Sequence, residues 1–200
     1  MIVAGLTGSI AMGKSETARM FTSLGVPVFD ADAAVHGLYA KGGGAVKAIA
    51  AKFPQAIIDG AVDRQRLGEL VLNNPQAMKA LEAIVHPLVR QAEREFIRVC
   101  RAESRLLAIL DIPLLFETGR QRDVDRIIVV TAPAEMQRHR ALARPGMTPE
   151  KFAAILARQV PDADKRRQAH FIVDSSQGRE HALAQVKAVV AKLLQEAGAS

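Results

Sequence analysis

The chain has 200 residues and a mass of 21.6 kDa, room for one domain of ordinary size or one domain with a small insert, and not for two large ones. With 49% apolar and 24% charged residues it has globular composition, well away from the disordered range. Its lone cysteine, Cys100, permits no internal disulfide, its apolar opening carries no charge before Lys14, and Asp111 interrupts the apolar stretch 106–116 short of a membrane span; a cytoplasmic protein without a membrane partner is expected. Lys and Arg number 27 against 21 Asp and Glu, a net +6. Residues 118–167 hold eleven Lys or Arg and six Asp or Glu, a net +5, which leaves +1 for the other 150 residues. Single-strand nucleic-acid binders add stacking rings to such a patch, whereas this chain has no Trp, one Tyr and seven Phe. A small polyanion therefore fits better than nucleic acid, although a charge run also reads as a solvated helix face.

Residues 2–6 form a short apolar run closed by Thr7 and Gly8, and its length and flanks predict a buried strand. A helical pattern follows over 15–24, then a second strand over 26–29. About 75 residues of helical pattern come next, punctuated by Gly42 to Gly44, Pro54, Asn73 to Pro75 and Pro87. That is too long for one crossover helix and predicts a helical subdomain over roughly 31–105, its last helix running from 88 to about 103. Three further strands are predicted over 106–112, 127–130 and 171–173. Thr148, Pro149 and Glu150 read as N-cap, first-turn proline and first-turn acid of a helix ending near Gln159, and a final helix is predicted over 179–196. Five strands alternating with helices imply an α/β fold, a five-stranded parallel sheet flanked by helices.

The segment from Gly8 to Ser15, GSIAMGKS, satisfies the phosphate-binding-loop pattern, which a chain of this length matches by chance on the order of one time in a hundred. It follows a predicted strand and opens a predicted helix, the context the pattern requires. Gly8 and Gly13 let the backbone turn its N–H groups toward phosphate oxygens, and the helix adds the positive end of its dipole. Lys14 suits the β and γ phosphates of ATP, and the Ser15 hydroxyl suits Mg²⁺. The second strand ends in Asp30, Ala31 and Asp32, placing two carboxylates at the carboxyl edge of the sheet, where i and i+2 of an extended segment point the same way. Asp30 reads equally well as the cap of a following helix; Asp32 is the stronger candidate for a base that accepts a hydroxyl proton.

Asp111 closes the third strand in DIPLLFE, where it resembles the magnesium carboxylate of phosphate-loop enzymes. His86 stands before Pro87 at the head of the predicted 88–103 helix with Arg90 one turn on; such a face suits an anionic ligand, and a solvated surface reads the same. The basic segment brings Arg138, Arg140, Arg144, Arg158, Lys165, Arg166 and Arg167, with Arg140 and Arg144 expected on one helix face. Arginines on a lid over roughly 134–168 would stabilise the charge that phosphoryl transfer spreads over the equatorial oxygens. Zinc spacing, a nucleophile elbow and guanine-binding signatures are absent from the sequence. Another small-molecule or nucleotide kinase is the alternative enzyme, and a phosphate-loop binding module without a base, or a basic nucleic-acid binder, are the alternatives of other kinds.

At these residues the chain resembles the dephospho-coenzyme A kinase family over nearly its whole length. GLTGSIAMGKS is similar to the family's GLTGGIGSGKS, DADAAVH at 30–36 to its DADxxxR or DADxxxH, and IVHPLVR at 84–90 to its HPxVR. DIPLLFE at 111–117 and ILARQVPDADKRRQAHFIVD at 155–174 are similar to its third-strand signature and to its lid and last strand. The resemblance implies a P-loop kinase fold in one domain, 1–200, with a helical substrate-binding subdomain and a helical lid. It implies transfer of the ATP γ-phosphate to the 3′-hydroxyl of the ribose of dephospho-coenzyme A, with ATP and Mg²⁺ as cofactors. Lys14, Arg140 and Asp32 would be catalytic, Asp32 as general base. Gly8, Ala11, Met12, Gly13, Lys14, Ser15, Glu16 and Arg144 would bind ATP, and Ser15 and Asp111 the metal. Asp32, His36, His86, Arg90 and Asp111 would meet the substrate. Ser9, Met12 and Glu16 depart from the family's usual glycine, serine and hydroxyl residue, and His36 takes the place of an arginine.

Overall fold

The computed structural model describes residues 1–72 and 74–199. Among them the chain divides into two compact units, Met1–Phe29 together with the chain from Val99 onward, and Asp30–Arg98. The first unit is built on the sheet. Strands β1 (Ile2–Thr7), β2 (Val28–Asp30), β5 (Leu107–Asp111), β6 (Arg126–Thr131) and β7 (Phe171–Asp174) lie in the order β2-β5-β1-β6-β7. The five runs read from apolar pattern are these five strands, with β2 displaced toward Asp30. Strand β1 pairs in parallel with β5 and with β6, and β6 with β7. Every residue of β5 is buried, as are all but the first of β1. Such strands have no solvent face, which is why they are continuous apolar runs and not alternating ones.

Helices α1 (Lys14–Ser23) and α9 (Gly178–Gly198) cover the sheet with Phe21, Val186 and Leu193, all fully buried beside Leu6, Ile109, Ile128 and Val130. The register sets the functional edge. Leu6 lies beside Asp111, Thr7 beside Val129, and Thr131 beside Asp174, so the loops after β1, β5, β6 and β7 all leave from one side. Three shorter helices, α6 (Ala134–Leu142), α7 (Pro149–Ala157) and α8 (Asp162–Arg167), stand between β6 and β7. Thr148 caps α7, its hydroxyl accepting from the Lys151 N–H at 3.3 Å, and Pro149 is the first helical residue, as their order in the sequence predicts. The described helices include none long and apolar enough to cross a membrane.

The second unit contains α2 (Ala31–Tyr39), α3 (Val46–Lys52), α4 (Arg64–Val71) and α5 (Pro75–Ala102), the last as far as Arg98. Ile49, Phe53, Leu67, Val71 and Val85 form its buried core, with Val35 and Leu38 of α2 and Ile84 and Leu88 of α5 packed around them. Two features differ from the sequence reading. A hairpin, β3 (Ile57–Ile58) with β4 (Ala61–Val62), sits among the helices. Its turn is Asp59-Gly60, at φ 51° and 81°, the dipeptide that suits a two-residue hairpin between apolar pairs. The helix predicted from residue 88 in fact starts at Pro75 and runs through Pro87. An internal proline forfeits one backbone hydrogen bond and costs about 3 kcal/mol, but Pro87 lies on the exposed side while Leu81, Ile84, Val85 and Leu88 pack into the core on either side of it. Burial of that stripe outweighs the lost bond. Of the predicted break at 73–75, Asn73 lies outside the described residues; Asn74 caps α5 by accepting from the Ala77 N–H at 3.0 Å.

Phe21 is the largest fully buried side chain that fixes α1, and with it the phosphate-binding loop, to the sheet. Phe21→Ala is expected to lower the unfolding free energy by about 3–5 kcal/mol in chemical denaturation; a loss under about 1 kcal/mol would show that α1 is held by something other than this contact.

Candidate active site

The loop between β1 and α1 owes its form to close packing at one end and left-handed backbone at the other. A Cβ on Gly8 would stand 2.7 Å from the Val130 carbonyl oxygen of β6, so only glycine lets the chain pass there. Gly13 is the N-cap of α1 at φ 93° and offers no side-chain cap. The first helical backbone bond runs from the Thr17 N–H to the Gly13 carbonyl at 3.0 Å, so the N–H groups of Lys14, Ser15 and Glu16 have no acceptor within the helix. Three convergent donors at the positive end of a helix dipole form an anion site. Ala11, at φ 61°, is non-glycine residue in left-handed backbone, at a cost of roughly 1–2 kcal/mol. It is buried against Ala141 of α6 and Phe152 of α7.

Lys14 extends from the first turn of α1 to Asp111, the last residue of β5, with Nζ and Oδ1 2.5 Å apart. The side chains are only 15% and 9% exposed, so solvent and salt screen the pair weakly. Asp111 thus ends a strand with its carboxylate on the loop lysine, and the helix-cap alternative for it is not what the chain adopts. Ser15, one residue on, is exposed. A hydroxyl and a carboxylate are hard oxygen donors of the kind Mg²⁺ takes alongside phosphate oxygens and water.

Beside the loop, Arg140 gives two parallel hydrogen bonds to Ser175, Nη1 to Oγ and Nη2 to the carbonyl, each 2.8 Å. The Ser175 hydroxyl in turn donates to the Met12 carbonyl at 2.8 Å. Arg140, Arg144 and Arg179 line a cavity of about 320 Å³ together with Gly13, Glu16 and Ser175. Arg144 lies past the end of α6, so the two lid arginines do not share a helix face; the turn after α6 brings both to the cavity instead. Glu16 accepts from Arg179 and from Arg19, each at 3.0 Å. Those two guanidinium groups hold its carboxyl below the usual carboxylate range and offset its charge beside the loop. At the end of β7 the Ser176 hydroxyl, and after it the Ser176 N–H that donates to Asp174 at 2.8 Å, hold that carboxyl low as well.

The other basic residues of the segment do not line this cavity. Lys165 is fully buried, its Nζ 2.8 Å from Glu117 Oε1, and Glu117 also accepts from the Val160 N–H at 2.9 Å. Arg166 pairs with Asp162 at 3.0 Å and Arg167 with Asp164. Arg138 lines a separate hollow on α6, and Arg158 is exposed. Sequence reasoning passed over Ser175, Arg179, Gln137 and Gln159, all of which touch the loop or its cavity. For Ser175 a signal existed, its place directly after a strand end at the carboxyl edge; the two glutamines carry none, because an uncharged amide in a helical stretch looks like surface.

In the second unit, Asp30 caps α2, its Oδ1 accepting from the Ala33 N–H at 3.0 Å. That cap ends the strand at Asp30, so Asp32 stands in the first turn of α2 and not, as expected, on an extended segment beside Asp30. Asp32 and His36 are one helical turn apart and both exposed. His86 and Arg90 are likewise a turn apart and exposed, in the interior of α5 and not at its head, because α5 continues through Pro87. α2 and α5 pack into the same core through Val35 and Leu38 on one and Ile84, Val85 and Leu88 on the other.

Known proteins match the chain over nearly its whole length. The family model described as dephospho-CoA kinase matches residues 1–180. The dephospho-CoA kinase of Mesorhizobium japonicum is 56% identical over 198 residues, covering 99% of this chain and 100% of the relative. That of Agrobacterium fabrum is 54% identical over 193 residues, with 96% and 98% covered. Among solved structures, TT1252 from Thermus thermophilus is 37% identical with a TM-score of 0.78, covering 96% of this chain and 97% of that one. The dephospho-CoA kinase from Campylobacter jejuni is 25% identical with a TM-score of 0.70, covering 96% of each chain. Shikimate kinase from Acinetobacter baumannii, at 16% identity and a TM-score of 0.51 over 98% of this chain and 94% of that one, shares the fold alone. With a phosphate-binding loop on a five-stranded parallel sheet and relatives this similar over nearly its full length, the chain belongs to the dephospho-CoA kinase family.

Proposed function

We propose that the chain transfers the γ-phosphoryl group of ATP to the 3′-hydroxyl of the ribose of dephospho-CoA, giving CoA and ADP, and that the loop from Gly8 to Glu16 holds the nucleotide's phosphates. The observation that carries this reading is the bare N-terminus of α1, three N–H groups without an intrahelical acceptor, with the Lys14 ammonium beside it. Lys14 would meet the β and γ phosphates while Asp111 accepts one hydrogen bond from its ammonium, so that the ammonium is presented in one place and not left to search. Arg140 has two of the five N–H groups of a guanidinium engaged by Ser175, leaving the others for phosphate oxygens on which charge develops. Arg144 and Arg179 would complete the positive lining of the same cavity.

The donor set fits Mg²⁺. Ser15 offers an exposed hydroxyl, and Asp111 a carboxylate on the last residue of β5, where its pairing with β1 ends. Bound there with the phosphates, the ion would neutralise charge on the β and γ oxygens. For the acceptor, Asp32 is the base: its exposed carboxylate takes the proton of the 3′-hydroxyl. The freed oxygen bonds to the γ-phosphorus as the bond from that phosphorus to the β,γ-bridging oxygen breaks. His36, a turn from Asp32, and His86 with Arg90 would meet the anionic groups of the coenzyme. His36 does so in place of the arginine common in the family.

ADP release with Mg-ATP, compared among dephospho-CoA, AMP and adenosine, tests the assignment; turnover with AMP in preference to dephospho-CoA would point to a nucleotide kinase. Lys14→Ala is expected to lower turnover at least about 100-fold. Asp32→Asn is expected to lower kcat by about 10²- to 10⁴-fold while the KM for ATP stays within about threefold. Turnover near that of the unaltered enzyme in Asp32→Asn would remove Asp32 as the base.

A further inference from the structure

Two buried or half-buried amides grip the phosphate-binding loop at a single residue. The Ile10 N–H donates to Gln159 Oε1 at 3.1 Å, and Gln137 Nε2 donates to the Ile10 carbonyl at 2.9 Å. Gln137 comes from α6 and is 5% exposed; Gln159 follows the end of α7. The two bonds lie on different peptide groups, Ser9–Ile10 and Ile10–Ala11, and therefore fix the planes on both sides of Ile10. The second plane matters most. In a trans peptide the carbonyl and the N–H point opposite ways, so the bond from Gln137 aims the Ala11 N–H away from α6. Rotating that plane would change the φ of Ala11, and Ala11 stands at +61°, a conformation that an alanine leaves readily if nothing opposes it.

We propose that Gln137 and Gln159 are positioning residues for the ATP site: they hold the Ile10–Ala11 peptide against a flip and so keep the loop in its anion-binding form before nucleotide arrives. Three further observations agree. Ala11 is buried among Ala141, Phe152 and the partly buried Leu142 and Leu156, so α6 and α7 form the packing surface of the loop. Met12 is held on its other side, its sulfur accepting from the Ala132 N–H at 3.1 Å and its carbonyl from Ser175. The resemblance quoted above has glycine at residue 11, where a left-handed φ is free; an alanine there raises the need for a clamp. The fraction of molecules with a competent loop scales the apparent affinity directly, so loss of the clamp acts on nucleotide binding and not on the chemical step.

The proposal rests on the loop being the nucleotide's phosphate site, and the experiment separates the two. Calorimetric ADP binding is measured for the unaltered chain, Gln137→Leu and Gln159→Leu, each checked for a cooperative melt. Each substitution is expected to weaken ADP about tenfold, with kcat at saturating ATP and the KM for dephospho-CoA unchanged. Repeating Gln137→Leu on an Ala11→Gly background, and comparing it with Ala11→Gly alone, is expected to shrink the loss to about threefold or less, because glycine has no preference for the flipped form. An equal loss on both backgrounds would mean that Gln137 only packs α6 and would overturn the proposal, as would unchanged ADP affinity in both leucine variants. Hydrogen exchange on the unaltered, nucleotide-free chain reads the clamp without any substitution: the Ile10 amide is expected to be protected, and exchange at the rate of an open loop would overturn the assignment. Failure of the unaltered chain to bind ADP would instead strike at the phosphate-site reading while leaving the exchange result standing.

Discussion

The parallel pairing of β1 with β5 on one side and β6 on the other decides where everything else in the first unit goes. Leu6 beside Asp111 and Thr7 beside Val129 bring the loop after β1 out between two strand ends. From that position Lys14, one residue into α1, reaches a carboxylate on β5 while Gly8 passes against the carbonyl of Val130 on β6. Hydrogen-bonded strands sit about 4.8 Å apart, so these contacts are built in once the register is set, and a shift of one residue would turn Asp111 to the other face of the sheet. Because β5 is buried on both faces, it is close packing, and not a contrast between a wet and a dry face, that holds the register.

The second organising feature is that positive charge near the loop is held by short-range hydrogen bonds and not left diffuse. The net charge of the 118–167 segment suggested a patch. In the folded chain Lys165, Arg166 and Arg167 are matched to Glu117, Asp162 and Asp164, and only a subset of the arginines reaches the loop cavity. Arg140 is fixed by Ser175, and Glu16 is flanked by Arg179 and Arg19. A carboxylate beside a helix end that suits anions is, in isolation, unfavourable to an anion there; with two guanidinium groups on it, the local charge is positive. The departure at residue 16 is thereby compensated within the same cavity wall.

Much of the fold was legible because its signals are local. A buried parallel strand must be a short apolar run, a phosphate-binding loop must place its glycines, lysine and serine at set intervals, and Thr148-Pro149-Glu150 can hardly be anything but a helix start. The errors were also physical. Pro87 reads as a helix breaker until the packing of Leu81, Ile84, Val85 and Leu88 is known. Asp59-Gly60 was a hairpin signal overlooked inside a stretch that looked helical. Asp30 and Asp32 were expected side by side on extended chain, and the cap that Asp30 makes to Ala33 puts them on different elements. Arg140 and Arg144 have helical spacing, but α6 stops between them.

By itself the sequence determined the class of fold, the phosphate-binding loop and the identities of Lys14, Ser15, Asp32 and Asp111 as candidates, because each depends on spacing along the chain or on the periodicity of burial. Only the tertiary structure decided which partners those groups have. The ion pair of Lys14 with Asp111 joins residues 97 apart, the Ser175 bridge to Met12 joins residues 163 apart, and the grip of Gln159 on Ile10 joins residues 149 apart. Contacts at such separations leave no periodic trace in one chain. They arise when strand pairing brings distant loops to one edge, the edge at which ligands sit in open α/β sheets.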